Sequence, residues 1–311
     1  MPANAKPLNH PPLGQAPLGQ APGLTPPPPA AISRAMLRAL VLLLVLFAGP
    51  ALARARSFIT SDGVRLHYTE EGPHSAHTIV FIPGWLMPGW IFARQAAAFR
   101  ARNRVILFDP RGQGASAVPE TGYTAARRGQ DIAELLAQLG PRRVVLVGWS
   151  LGGLDALAYL DAHGDQHLAG LVLVDNSVGE PPPPVWHPDR SPPLPHAAAV
   201  AGFVRGIFHT PQPAWFLRRL TQACLRLPAA QATRLRDYAE KRDFWRRAAE
   251  HFRPPLLYLT RPWLAAQAAN LRAARPGTET ALFPHAGHAL FIDDAPRFNR
   301  LLARFLHQVW R

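Results

Sequence analysis

Cysteine is almost missing from this chain: Cys224 is the only one in 311 residues, so no internal disulfide can form in any compartment. Lysine is scarce too. Only Lys6 and Lys241 contribute to the 34 basic residues, so the net charge of +14 is carried by arginine. No aspartate or glutamate occurs before position 54, where Lys6, Arg34 and Arg38 are the charged side chains; +11 therefore stays with the remainder. These arginines are dispersed and no nucleic-acid-binding motif accompanies them, so they read as a solvated surface rather than a nucleic-acid footprint. Long apolar runs are also absent. The most apolar stretch, Ala39 to Ala48 (ALVLLLVLFA), is well short of the roughly 20 residues that span a bilayer comfortably.

What is there begins with proline. Residues 1–30 hold ten prolines, including Pro26 to Pro29, and the repeat PLGQAPLGQA. Such a segment has almost nothing to bury and is expected to be disordered. Met36 then opens a compact leader, MLRALVLLLVLFAGPALA, with basic residues, a short apolar stretch and the small-residue site Ala51-Leu52-Ala53. That pattern predicts a signal peptide over residues 36–53, removed after Ala53. Residues 1–35 would then be a mis-assigned start, a real extension being the alternative. The expected location is periplasmic or secreted, with membrane contact only through an uncleaved leader.

The remaining residues suit one domain with an insertion. Phe58 to Thr60, a Ser61-Asp62-Gly63 turn and Val64 to Tyr68 read as a hairpin. Thr78 to Ile82, Val105 to Phe108, Val144 to Val147, Leu171 to Val174, Leu256 to Leu259 and Ala281 to Phe283 are short apolar runs of buried-strand type. Between them lie helical segments at 91–102, 127–139 and 265–274, and a last helix carries Phe298, Leu301, Leu302, Phe305, Leu306 and Val309 on one face. Alternating strands and helices predict an α/β fold, a mostly parallel central sheet with helices on both faces. The rhythm breaks at Ser177, where a proline-rich stretch leads into helical sequence. The core is expected over 57–176 and 254–311, and a helical cap over 177–253.

The stretch VVLVGWSLGG, Val144 to Gly153, passes from strand to helix at Ser150, with glycines at 148, 152 and 153. G-x-S-x-G in this context is a nucleophile corner: the tight turn lifts the serine hydroxyl above the sheet. The N–H of Leu151, at the helix start, can face a developing oxyanion. A serine hydroxyl needs a base to take its proton. Of 13 histidines, His288 in FPHAGHALF lies on the loop after a predicted strand, at the sheet edge that presents functional groups. His285 is its competitor.

Together these segments resemble the α/β-hydrolase fold family, from about Ser57 to the C-terminus. GWSLGG is similar to that family's nucleophile elbow, AGHALFIDDAPRFN to its G-H segment, and FDPRGQGAS to its D-x-R-G-x-G-x-S loop, where Asp109 is normally structural. IPGWLMPGW, Ile82 to Trp90, resembles the oxyanion loop with Pro83 in place of the usual histidine. The resemblance implies Trp85 as the second N–H donor beside Leu151, with neither cofactor nor metal. An aspartate nucleophile, as in the fold's dehalogenases and epoxide hydrolases, is excluded by Ser150.

One departure matters. The family most often carries its triad acid after the strand at 256–259, yet no aspartate or glutamate occurs between Glu250 and Glu279. Asp175, ending an earlier strand at the same sheet edge, is the expected substitute, with Glu180 and Asp293 behind it. The expected function is therefore an exported serine esterase on a small-molecule ester or acyl substrate, with Ser150, His288 and Asp175 as triad. A cytoplasmic carboxylesterase for carrier-protein methyl esters and a non-catalytic binding protein of this fold are the alternatives.

Overall fold

The computed structural model describes residues 53–74, 76–140, 142–184 and 194–311. The expected extension at 1–35 and the expected leader, save Ala53, lie outside the described residues. Among the described residues no helix is long and apolar enough to cross a membrane.

The hairpin forms at the N-terminal end of the described chain. β1 (Arg54–Ile59) and β2 (Arg65–Glu71) pair antiparallel around a turn in which Gly63 takes φ +79°. β2 in turn pairs antiparallel with β4 (Arg104–Asp109). Beyond that point every pairing is parallel: β3 (Thr78–Ile82), β5 (Val144–Trp149), β6 (Leu168–Val174), β7 (Leu256–Thr260) and β8 (Glu279–Leu282). The spatial order is β1-β2-β4-β3-β5-β6-β7-β8, so β5 lies inside the sheet with β3 and β6 beside it. Strands β3 to β7 are buried along their whole length. That is why their sequences read as unbroken apolar runs rather than as alternations.

Alternate residues of each strand feed two hydrophobic clusters. On one face Phe81, Val145, Val172 and Leu257 meet α1 (Ala93–Phe99) and the C-terminal α10 (Ala295–Val309), which contributes Phe298, Leu302, Phe305 and Leu306. On the other face Val80, Leu146, Leu171 and Tyr258 meet α2 (Ala125–Leu139) and α3 (Leu151–His163). Thr124 starts α2 by accepting the Arg127 N–H on its side chain, and Gly140, at φ +95°, ends it. The segment at 91–102 is shorter than its composition suggests: a 3₁₀ turn over Gly89–Phe92 precedes α1, which stops at Phe99.

The helices of the expected cap at 177–253 feed both clusters. α4 (His196–Gly206), α5 (Ala214–Cys224) and α6 (Ala229–Arg234) lie beyond the strand ends, and their buried residues extend the first cluster. α7 (Arg242–Glu250) instead buries Trp245, Ala248 and Ala249 in the second cluster, on the α3 side, with α8 (Ala265–Ala274). A strongly amphipathic helix needs an apolar partner surface, and the sheet-facing helix layer supplies it. Trp245 is therefore a core residue.

Candidate active site

Ser150 occupies the corner between β5 and α3 with φ +54° and ψ −120°. Backbone in that region is strained for any residue with a side chain and persists where the surroundings over-determine it. The glycines around it allow the approach. A Cβ on Gly152 would lie 2.3 Å from the Ile82 carbonyl oxygen, and one on Gly148 would lie 2.6 Å from the Gly152 carbonyl oxygen. Bare Gly152 lets the helix start press onto the end of β3, and bare Gly148 lets it fold back onto β5.

His288 lies on the loop between β8 and the one-turn helix α9 (Leu290–Asp293). Its Nδ1 is 2.7 Å from Asp175 Oδ2. Since an ionised carboxylate only accepts, Nδ1 carries the proton and Nε2 is left as the basic nitrogen. The indole N–H of Trp149 donates to the His288 carbonyl oxygen at 2.9 Å, which pins this loop to the nucleophile strand. His285 is exposed, and it is His288 that reaches the carboxylate.

Asp175 terminates the run of β6 with φ +45° and is almost fully buried. Its Oδ1 accepts the Arg261 N–H at 3.0 Å and the Thr260 hydroxyl at 3.1 Å. Its Oδ2 accepts Arg261 Nε at 2.7 Å besides His288. Burial alone would raise the carboxyl's pKa, but the His288 hydrogen bond and the charges of His288 and Arg261 outweigh it and hold it below the ordinary carboxylate range. Glu180 and Asp293 stand elsewhere. Asp293 accepts the N–H groups of Gly287, His209 and Thr210. Glu180 is pushed up to about 7, by burial first and then by its neighbour Glu250.

The loop after β3 departs from its sequence pattern in an informative way. With proline at 83, the organising side chain is Gln113, from the FDPRGQGAS segment. Its Oε1 accepts the Leu86 N–H at 3.0 Å, and its Nε2 donates to the carbonyls of Gly84 at 3.1 Å and Met87 at 2.9 Å. Leu86 takes φ +65° in this loop. Among the described residues neither the Trp85 nor the Leu151 N–H donates a backbone hydrogen bond, and both residues line the same cavity as Ser150. Gln113→Leu is expected to leave two buried backbone groups unpaired, the Leu86 N–H and the Met87 carbonyl, since the Gly84 carbonyl keeps the Met87 N–H; the cost is about 1–3 kcal/mol for each group that water cannot reach. The checks are a lowered thermal midpoint together with a fall in turnover.

The cavity encloses about 970 Å³ and is lined by Ser150, His288, Trp85, Phe203, Arg236, Arg261 and Trp263, among others. Of the apolar residues in the helices beyond the strand ends, Phe203 lines it, whereas Trp215 is exposed and Ile207 and Phe216 pack in the first cluster. Trp85 bridges to the cap by donating its indole N–H to the Ala232 carbonyl at 2.8 Å. Cys224 is buried, and burial pushes its thiol up to about 12, which leaves it inert.

A match to the model of the alpha/beta hydrolase family extends over residues 79–301, from β3 into α10. The chain belongs to the α/β-hydrolase family. Among curated relatives, a non-heme chloroperoxidase of Streptomyces lividans is 34% identical over 37% of this chain and 42% of its own length. The pimeloyl-[acyl-carrier protein] methyl ester esterase of Vibrio atlanticus (strain LGP32) is 32% identical over 38% of this chain and 42% of its own. This chain thus spans less than half the length of these curated relatives. Solved structures match more widely. A Burkholderia cenocepacia protein assigned as an aryl esterase is similar at 28% identity and TM-score 0.73, over 83% of this chain and 99% of its own. An esterase from Rhodococcus sp. ECU1013 matches at TM-score 0.69 and 23% identity over 82% of this chain and 99% of its own. In this α/β-hydrolase the sequence-expected Ser150, His288, Asp175, Trp85 and Leu151 all line one cavity. Three contributors were not foreseen: Gln113, Trp149 and Arg261.

Proposed function

We propose that this α/β-hydrolase is a serine hydrolase that cleaves carboxylic esters through an acyl-enzyme. The observation that carries the reading is the hydrogen bond from His288 Nδ1 to Asp175, which leaves Nε2 as a base in the cavity that Ser150 lines. Ser150 Oγ attacks the ester carbonyl carbon while Nε2 takes its proton. The carbonyl π electrons move onto oxygen, where the N–H groups of Trp85 and Leu151 stabilise the charge. Collapse expels the alcohol, which receives the proton from the imidazolium. Water repeats the sequence on the acyl-enzyme, releasing the acid and restoring the Ser150 hydroxyl. Labelling by a fluorophosphonate probe at Ser150, mapped by peptide mass spectrometry, together with hydrolysis of p-nitrophenyl butyrate, tests this. A folded protein that neither labels nor turns over would refute it. The non-catalytic reading loses its motive, since it rested on a missing acid and Asp175 stands against His288.

Export belongs to the same proposal. β1 begins at Arg54, so a leader ending at Ala53 would be removed without loss of a sheet residue. Expression in a Gram-negative host should yield a mature N-terminus at Arg54. Recovery of the chain with residues 36–53 attached would favour the second reading, a carboxylesterase for carrier-protein methyl esters, the chemistry named for the Vibrio relative.

A further inference from the structure

Strand β7 ends in Thr260-Arg261, and the arginine turns back onto the carboxylate that faces His288. We propose that Arg261 is a positioning residue of the hydrolytic site: it clamps Asp175 and, as a permanent cation beside it, lets hydrolysis persist to lower pH than the carboxylate alone would allow. This rests on the serine-hydrolase reading above.

Four observations carry it. Arg261 supplies two donors to one carboxylate, its backbone N–H to Oδ1 at 3.0 Å and Nε to Oδ2 at 2.7 Å. Oδ2 is the same oxygen that meets His288 Nδ1, so ring and guanidinium share it. The Asp175 side chain is 0% exposed against 30% for Arg261, so the shared charge sits in a dry environment where each neighbour counts strongly. Finally, the guanidinium lies 5.5 Å from the Trp263 ring centre, a cation–π contact that holds it in place.

The physical consequence follows from charge. A buried carboxylate beside an imidazole favours the imidazolium, and an imidazolium cannot take the Ser150 proton. A guanidinium, which stays charged throughout the accessible pH range, offsets that pull. Other charged or titratable groups face the dyad. Tyr258 of β7 donates its hydroxyl to the Asn176 carbonyl at 2.6 Å. Asp293 binds the amides of Gly287, His209 and Thr210. Arg236 and Asp237 line the cavity from the cap, and His285 is exposed on the His288 loop. None of these changes when Arg261 is replaced.

The test compares wild type with Arg261→Met, which removes the charge and the Nε donor but keeps the backbone N–H, and Arg261→Lys, which keeps the charge without the planar guanidinium. The readout is the pH profile of kcat/KM on p-nitrophenyl butyrate, with near-UV circular dichroism and the thermal midpoint as checks on folding. Arg261→Met should move the acid limb up by about one pH unit and lower the plateau roughly ten- to a hundredfold through misplacement of Asp175. Arg261→Lys should restore the acid limb but not the full plateau. If Arg261→Met does not fold, Arg261→Gln takes its place with the same expectation. A folded, charge-free variant with an unmoved acid limb, or a lysine variant that behaves like methionine, overturns the proposal. Either result in an enzyme whose wild type labels at Ser150 leaves the hydrolase reading standing; failure to label removes the reading itself.

Discussion

Ser150→Ala should reduce ester hydrolysis by about 10⁶-fold, while the fold survives. The size of the loss reflects what the side chain does: without Oγ there is no acyl-enzyme, and the oxyanion donors and binding surfaces retain only a residual effect. Survival of the fold follows from the site. The hydroxyl takes no part in capping α3, whose first residues receive no side-chain hydrogen bond from it. Alanine must still occupy φ +54°, but that strain is already present with serine. A stability within about 1 kcal/mol of wild type is expected, as for a small change away from core packing. His288→Ala should be about as damaging, and the double variant no worse than either, because nucleophile and base act as one unit. His285→Ala should retain activity. Turnover of p-nitrophenyl butyrate by Ser150→Ala above about one per cent of wild type, from protein free of contaminating esterase, would place the nucleophile elsewhere.

The elbow was legible because two signals coincide at one residue. The β-branched run Val144 to Val147 ends and a helical spacing of leucines begins within four positions, with Gly148 and Gly152 where backbones must touch and Gly153 against the Asn176 side chain. The order of strands made Asp175 legible too, since β6 adjoins β5 and delivers its end to the same edge. Partners defined by tertiary approach left no local mark. Gln113 is about 26 to 29 residues from the groups it binds, and Arg261 is 86 from Asp175. Neither residue type announces such a role by spacing. The second signal available for Arg261 was negative: a basic residue stands where an acid was sought. The packing of α7 was hidden for a different reason. Periodicity tells that a helix has an apolar face, not which surface covers it. Helices α4 to α7 therefore read alike, although α7 belongs to the layer beside α3.

Asp175→Asn is the variant that separates a carboxylate's charge from its shape, and it should cost about 10⁴-fold in turnover. Four donors converge on the native side chain: His288 Nδ1 and Arg261 Nε on Oδ2, the Arg261 N–H and the Thr260 hydroxyl on Oδ1. An amide has one accepting oxygen. Placed at Oδ1, that oxygen leaves the NH₂ facing both Arg261 Nε and the ring; His288 must then carry its proton on Nε2, where it cannot act as base. Placed at Oδ2, the oxygen keeps the useful tautomer, but the imidazolium formed during reaction has lost its countercharge while Arg261 remains beside it. Both arrangements are poor, so relaxation offers little rescue. Stability should change far less than activity, because Arg261 is partly exposed and can turn to water. The pH dependence gives an independent check. The folded carboxyl is held below the ordinary carboxylate range, so its contribution to stability is present above that range and is lost as pH falls through the folded value. The asparagine variant should lack this component, and its thermal midpoint should fall less steeply than that of wild type between neutral and acid pH. Turnover by Asp175→Asn within about tenfold of wild type would mean that His288 draws its support from another group.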